Sequence, residues 1–281
     1  MAIHYIYTDL KKDFSKKSYS QKAVYKYLSL RRAFECLDNN AFWFSNPMQW
    51  RDPYEKLFLK AKYFLRGVSR PAGYPYDKIY CFCLRENPNC EAAWKMYGDD
   101  VVRFKIDWKG FVKMLEENTK DYDVYVGKIH YLKREDIRNL TLMNIKELFL
   151  CDGNAADPYV ASMFIKRESF SYESEIRVLI RDRSDYAKWE KGKSLSLPNI
   201  RELVRGVLLS PECKRTDGIK RLFVSRYQFS LKGSPSVQKS SLYGNPKVLE
   251  VHEQDPAGKS HGGSVGRSVC DNDRSCLKEK V

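Results

Sequence analysis

The sequence predicts an α+β fold: a central, split, mainly antiparallel sheet flanked by short helices. Three observations predict it. Short runs of β-branched and aromatic residues recur along the chain, separated by segments of helical spacing and by turn residues. The 281 residues, 43% hydrophobic and 14% aromatic, suffice to bury a sizeable core and exclude a disordered chain. The stretch Phe170-Ser171-Tyr172-Glu173-Ser174-Glu175-Ile176-Arg177-Val178-Leu179-Ile180 alternates up to Arg177 and then becomes an apolar run, as a strand entering a core does.

Residues 1–21 are polar and read as a loosely ordered, flexible segment. A short strand is expected at 23–28 and a helix at 29–38. Leu30, Phe34 and Leu37 give that helix its spacing, Ser29 its N-cap and Asn39-Asn40 its stop. A second strand at 41–44 ends at Ser45-Asn46-Pro47. A helix is expected from Pro53 through Tyr63, a strand at 78–84 and a helix at 90–97 closed by Gly98. A strand at 101–106 precedes an amphipathic helix at 107–118, with Trp108, Phe111, Met114 and Leu115 on one face. A strand at 128–131 and a helix at 139–149 follow, and Asp157-Pro158 opens another helix. After the strand at 170–180 comes a polar break at 182–192, then strands at 203–209 and 221–230. One α+β domain is therefore expected over residues 22–252. The Gly-, Ser- and Asp-rich residues 253–281 read as a disordered tail, and no internal repeat is found.

The formal net charge is +14. Residues 253–281 carry equal numbers of basic and acidic side chains, so the excess belongs to residues 1–252. A basic body suits acidic partners such as nucleic acid or nucleotides, although a solvated Lys surface gives the same count. The eight cysteines are scattered, and the first residues lack the apolar core of a secretory leader, so reduced thiols and a cytoplasmic location are expected. The one-residue spacing of Cys81-Phe82-Cys83 is wrong for a zinc ribbon, and no metal is expected there. No run of 18 apolar residues suggests a membrane span.

On a strand, Glu173, Glu175 and Arg177 all point to one face. Two carboxylates and a guanidinium in a row are costly unless paired or used. Bland roles suit many neighbouring residues equally well. Tyr25 and Tyr27 serve as core aromatics, Asp52 as a helix cap before Pro53, and Glu55 as a first-turn acid. Trp94 and Tyr97 at i, i+3 fit a core face, His130 a structural place, and Lys166 and Arg167 a charged surface.

Five blocks occur in order. They are Val24-Tyr25-Lys26-Tyr27; Phe42-Trp43-Phe44-Ser45-Asn46-Pro47 running to Asp52-Pro53-Tyr54-Glu55; Cys81-Phe82-Cys83 with Trp94-Lys95-Met96-Tyr97-Gly98; Gly127-Lys128-Ile129-His130-Tyr131; and Lys166-Arg167 leading into Glu173-Ser174-Glu175-Ile176-Arg177. Over residues 22–182 this set resembles a bacterial domain-of-unknown-function family often seen in phage-defence settings. Two departures are Arg51, where the family has Asn before Asp-Pro, and Met96, which follows Trp94 rather than preceding it. The resemblance implies a defence or toxin setting, with an antitoxin or defence partner.

The order of a basic first strand, a strand ending in Ser and a Glu-x-Glu strand also resembles ADP-ribosyltransferases. That resemblance implies an ADP-ribosyltransferase-like fold and NAD as substrate. It puts Lys26 in the first-strand place, Ser45 beside the nicotinamide ribose, and Glu175 against the ribosyl cation. Glu173 would orient or deprotonate the acceptor. Tyr25, Tyr27, Asn46, Asp52, Glu55 and Tyr97 complete the candidate NAD site, and Lys166, Arg167 and Arg177 the acceptor contacts. Lys26 departs from the family's Arg or His: an ammonium holds a phosphate but lacks the planar fork. With the positive charge and the many Tyr and Trp, single-stranded nucleic acid is the expected acceptor.

Two other functions fit these residue types. A metal-dependent nuclease would use Asp52, Glu55, Glu173 and Glu175 with Lys166, although Ile176-Arg177 replaces the Glu-x-Lys spacing of common nuclease cores. A non-catalytic nucleic-acid-binding defence module would need only the charge and the aromatics. Transfer needs NAD and no metal, a nuclease dies with EDTA, and a binding module tolerates loss of Glu175.

Overall fold

The computed structural model describes residues 3–8, 23–56, 62–65, 68–71, 78–88, 90–98, 100–151, 154–184 and 190–244. All but Gly244 belong to one unit, residues 1–243, and residues 244–281 cluster separately. The expected tail at 253–281 lies outside the described residues.

In chain order the strands and helices are β1 (His4–Thr8), β2 (Ala23–Ser29), α1 (Leu30–Asn39), β3 (Ala41–Ser45), β4 (Lys62–Leu65), β5 (Val68–Pro71), β6 (Ile79–Arg85), α2 (Glu91–Tyr97), β7 (Val101–Asp107) and α3 (Trp108–Asn118). There follow β8 (Tyr122–Lys128), β9 (His130–Leu132), α4 (Arg134–Asn139), α5 (Leu142–Leu148), β10 (Phe149–Cys151), β11 (Asn154–Ala155), α6 (Pro158–Ser162) and β12 (Ile165–Arg167). The last are β13 (Glu175–Asp182), β14 (Gly192–Ser196), α7 (Ile200–Leu203), β15 (Val204–Leu209), α8 (Thr216–Tyr227) and β16 (Ser236–Lys239). Short 3-10 turns occupy Pro47–Gln49, Tyr54–Lys56 and Glu168–Glu173.

Twelve of the described strands form one sheet, ordered β11-β10-β1-β8-β13-β6-β2-β7-β15-β16, with β3 and then β14 branching from β6. Neighbours run antiparallel except β1 with β8 and β15 with β16. The mainly antiparallel sheet is as expected, and it is one sheet that branches at β6. One edge of β6 runs along β13 from Ile79 to Arg85. Its other edge serves two strands: Arg85 pairs with Tyr25 of β2, and Cys81 pairs with Ser45 of β3.

Alternation along β13 feeds two cores. Ile176, Val178 and Ile180 join Phe82, Phe104, Phe111 and Phe223, under α1, α3, α7 and α8. Leu179 and Cys81 join Ile145, Val160 and Phe164, under α4 to α6. Truncating one such Phe to Ala costs about 3–5 kcal/mol. Helix α1 forms for the reasons the sequence suggests: Ser29 Oγ caps it by accepting from Arg32 N, and Ala33, Cys36 and Leu37 make its buried stripe. It stops at Asn40 in the left-handed region (φ 45°), which Asn tolerates.

Several expectations are corrected. His4–Thr8 lies in the sheet between β8 and β10, so at least this part of residues 1–21 is ordered. Glu168–Glu173 is a 3-10 turn, and Ser174 turns left-handed (φ 43°) before β13 begins at Glu175. Glu173 therefore does not share a strand row with Glu175 and Arg177. The segment expected as a strand at 221–230 is mostly α8, whose buried Ile219, Phe223 and Tyr227 recur every four residues. The helix expected from Pro53 is a single 3-10 turn followed, at Lys62–Leu65, by a strand. Strand β8 lies ahead of the strand expected at 128–131, and β14 follows the polar break at 182–192, where no strand is expected. The helix expected at 139–149 begins at Leu142, where Thr141 and Asn144 form a capping box. Among the described residues no helix is long and apolar enough to cross a membrane.

Candidate functional site

Three elements bring a charged cluster together. Strand β12 supplies Lys166, and the 3-10 turn after it returns the chain so that Glu173 and Glu175 meet the same ammonium. The turn at Tyr54–Lys56 delivers Glu55 from across the fold. Lys166 Nζ lies 2.6 Å from Glu173 Oε2, 3.2 Å from Glu175 Oε2 and 3.6 Å from Glu55 Oε1. Arg177 Nε donates to Glu175 Oε1 at 2.8 Å, and its Nη2 donates to Glu55 Oε2 at 2.6 Å. Its Nη1 donates to the Met163 carbonyl, and the Trp50 ring covers the guanidinium at 4.3 Å. Three carboxylates facing two cations leave one negative charge.

Burial pulls Glu173, Glu175 and Lys166 toward neutrality, and the partners decide the outcome. Burial pushes Glu175 up, but Arg177 and Lys166 overcome it and hold this carboxyl well below the usual range. Glu173 goes the other way: burial, reinforced by Glu175 and Glu55, outweighs the pull of Lys166 and raises it. Burial lowers Lys166, but Glu175 and Glu55 outweigh it and raise the ammonium's pKa. The cluster thus contains one carboxylate that its cations favour in the ionised form and one that burial shifts toward the protonated form. The Glu175 N–H is held by Tyr131 Oη at 3.0 Å, which fixes the start of β13.

Beside the cluster, the fork of the sheet opens a cavity. Between the bridges to β2 and β3, Cys83 has no strand partner on that edge of β6 among the described residues. Lys26 Nζ donates to the Cys83 carbonyl instead, at 2.7 Å, and sits 4.5 Å from the Phe82 ring centroid. Ser45 Oγ donates to the Cys81 carbonyl at 3.5 Å and accepts from Trp50 Nε1 at 3.1 Å. Trp50 is thus a wall with the charged cluster on one side and the fork on the other. The fork cavity, about 370 Å³, is lined by Lys26, Arg32, Trp43, Ser45, Trp50 and Cys83 among others. A smaller hollow of about 50 Å³ is lined by Tyr25, Tyr27, Arg85, Glu173 and Glu175, and it shares Lys26, Tyr27 and Cys83 with the fork cavity.

The groups on these walls are tuned against charge. Burial lowers Lys26, with Cys83 and Glu175 opposing. Burial pushes the Cys83 thiol up to about 12 and the Cys36 thiol up to about 11, so both are protonated and unsuited to nucleophilic catalysis. The six described cysteines are free.

Of the sequence candidates, Tyr25, Lys26, Tyr27, Ser45, Glu173 and Glu175 line the two hollows. The others have different neighbours. Asn46 is fully buried and caps the Pro47–Gln49 turn by accepting from Met48 N at 2.9 Å. Asp52 accepts from Tyr54 N at 3.0 Å and pairs with Arg167 Nη2 at 3.1 Å. Glu55 is the first-turn acid of the Tyr54–Lys56 turn, as expected, and is also buried in the charged cluster. Lys166 and Arg177 do not fit the expected acceptor contacts: their side chains, 9% and 1% exposed, are enclosed by carboxylates and have no surface for an outside phosphate. Arg167 is more exposed but lies between Tyr54 and Phe170 against Asp52. The side chain of Tyr97 lies outside the described residues. Arg32, Trp43 and Trp50 escaped sequence reasoning. The available signal was Trp43 alternating outward between the buried Phe42 and Phe44.

Two features bear on the competing functions. Among the described residues no three His, Cys, Asp or Glu side chains are placed to hold a metal ion. The place a cation would take among Glu55, Glu173 and Glu175 is filled by the Lys166 ammonium. A larger cavity, about 1090 Å³, lies between α8 and β16 and is lined by Lys220, Arg221, Val224 and Lys239. Among its described lining residues Asp217 is the one acid, beside the three cations Lys220, Arg221 and Lys239.

No protein-family model and no curated protein matches the chain. Solved structures of Thermus sp. 2.9 DarT resemble it distantly. The complex with NAD+ gives a TM-score of 0.33 at 8% identity, covering 78% of this chain and 96% of that one. The complex with carba-NAD+ gives 0.34 at 9%, with the same coverage. The complex with ADP-ribosylated ssDNA gives 0.35 at 7%, covering 78% and 94%.

Proposed function

We propose that this chain transfers ADP-ribose from NAD to single-stranded nucleic acid, with an ADP-ribosyltransferase-like arrangement of its branched sheet. The observation that carries the proposal is the meeting, at Lys26, of a fork cavity with hydroxyl and aromatic walls and a hollow bearing Glu173 and Glu175.

Cleavage breaks the bond between ribose C1′ and the nicotinamide nitrogen. Its electron pair leaves with nicotinamide, and positive charge builds on the ribose. Glu175 suits that moment, because Arg177 and Lys166 lock both its oxygens in place and keep it ionised. With Arg177, Lys166 and the Cys83 thiol already donating to it, Glu175 keeps one lone-pair site for a ribose hydroxyl, and a fixed charge needs no reorganisation during the reaction. Its 3% side-chain exposure makes it an electrostatic support rather than a proton carrier. Glu173, with one oxygen outside the Lys166 contact and a raised pKa, takes the acceptor's proton as the acceptor bonds to C1′. A recessed hollow favours an unpaired base over one stacked in a duplex. The positive charge of residues 1–252 favours a phosphate-bearing acceptor. A defence setting with an inhibitory partner is part of the same proposal.

The test is incubation with adenine-labelled NAD and single-stranded DNA in EDTA. The expected result is label on the DNA and a matching release of nicotinamide. No transfer to DNA, RNA or protein, or EDTA-sensitive cleavage of the DNA instead, contradicts the proposal.

A further inference from the structure

The fork cavity has two unlike ends. Lys26 and Cys83 mark the end nearest the carboxylates, and Trp43 and Arg32 mark the other. Trp43 is 40% exposed, high for a large aromatic on a strand whose neighbours Phe42 and Phe44 are fully buried. Its position has a structural cause. A Cβ at residue 192 would overlap the indole, so Gly192 on β14 lets the ring lie against that strand. The indole is thus backed by the residue 192 backbone and part of it stays exposed. The Arg32 guanidinium stands 5.6 Å from the ring centroid, half-exposed and steadied by Glu35 at 2.9 Å. Arg32 belongs to the first turn of α1 and lines the same cavity as Trp43, so guanidinium and indole share one wall.

We propose that Trp43 and Arg32 form a base-and-phosphate subsite, in which a purine displaces the Arg32 guanidinium from the partly exposed Trp43 ring and stacks there while Arg32 meets the attached phosphate. An indole offers a wide, sequence-tolerant stacking face, and a guanidinium suits the planar oxygens of a phosphate. The subsite rests on the proposed function insofar as it places the adenosine end of NAD away from Glu173 and Glu175. Its own prediction, nucleotide binding, does not need the transfer reaction.

The probes are ADP, adenosine and nicotinamide mononucleotide, titrated calorimetrically into the full chain and into Trp43→Ala, Trp43→Phe and Arg32→Gln. Thermal melts confirm folding, which an exposed indole leaves largely intact. Trp43→Ala should weaken ADP about tenfold or more and leave nicotinamide mononucleotide unchanged, and Trp43→Phe should recover most of the loss. Arg32→Gln should weaken ADP but not adenosine. Parent-like ADP affinity in Trp43→Ala, no ADP binding by the parent at millimolar concentration, or equal loss for both nucleotides overturns the subsite. ADP binding that depends on Trp43, without any nicotinamide release, sustains the subsite and refutes transfer. Transfer with an unchanged KM for NAD in Trp43→Ala does the reverse.

Discussion

The charged cluster and the fork cavity lie on either side of Trp50, and they solve opposite problems. The cluster packs five ionisable groups into a nearly closed space and satisfies them with one another. The fork leaves a gap in a sheet edge and covers its loose carbonyls with single side chains, Lys26 and Ser45. Charge is therefore densest where a ligand has least room, and room is greatest where charge is sparse. A row of acids and bases in a sequence marks a site's support as readily as its working surface. On the proposed function the working surface is where the two regions touch, at Lys26, Glu173 and Glu175, which line one hollow.

Breaking the cluster should have the largest effect. Arg177→Met leaves Glu55 and Glu175 buried without their guanidinium, and should cost about 3–5 kcal/mol of stability. Urea denaturation measures it, and a loss below about 1 kcal/mol would show that the cluster is not the closed network described. Glu175→Gln keeps shape and removes charge, so kcat for transfer should fall by about 10²–10³ with KM for NAD little changed. A variant as active as the parent would remove Glu175 from the chemistry. On the fork side, Lys26→Met strands the Cys83 carbonyl and should cost about 1–3 kcal/mol. An unchanged melting temperature would mean that the fork does not need its plug.

The two carboxylates should also separate by pH. Glu175 is lowered in the fold, so its stabilisation is complete above the ordinary Glu value of about 4.3 and is lost as pH falls below it. Glu173 is raised, so it opposes folding at neutral pH, and stability is recovered as pH falls toward about 4.3. Lys166 is raised from an already alkaline value and stays constant through this window. Urea midpoints should therefore rise between pH 7 and about 4.5 in the parent but less in Glu173→Gln, and should fall less steeply in more acid solution in Glu175→Gln. Identical slopes in parent and Glu173→Gln would contradict the assignment. Arg167→Ala should show the smallest effect, about 0–1 kcal/mol, because its pair with Asp52 is partly exposed.

Local signals make much of the fold legible. Ser29 and Asn39-Asn40 bound α1, and the apolar patterns of 101–106 and 176–180 mark strands that enter the core. Tertiary contacts override the rest. In α8 the β-branched and aromatic residues between Arg221 and Ser230 suggest a strand and conceal the four-residue spacing of Ile219, Phe223 and Tyr227. The left-handed turn at Ser174 has no strong sequence marker, so the sequence reads Glu173 onto a strand, although it still meets Lys166. The site is half legible. Residues with obvious chemistry can be named, but Arg32 and Trp43 matter only because the sheet forks, and a fork is a property of strand order that no local pattern encodes.

The most direct measurement is a crystal structure of the Glu175→Gln chain soaked with NAD. The account predicts the dinucleotide in the fork, its nicotinamide ribose toward Glu173 and residue 175 and its adenine on Trp43. NAD bound in the groove between α8 and β16, or with its ends reversed, would contradict it.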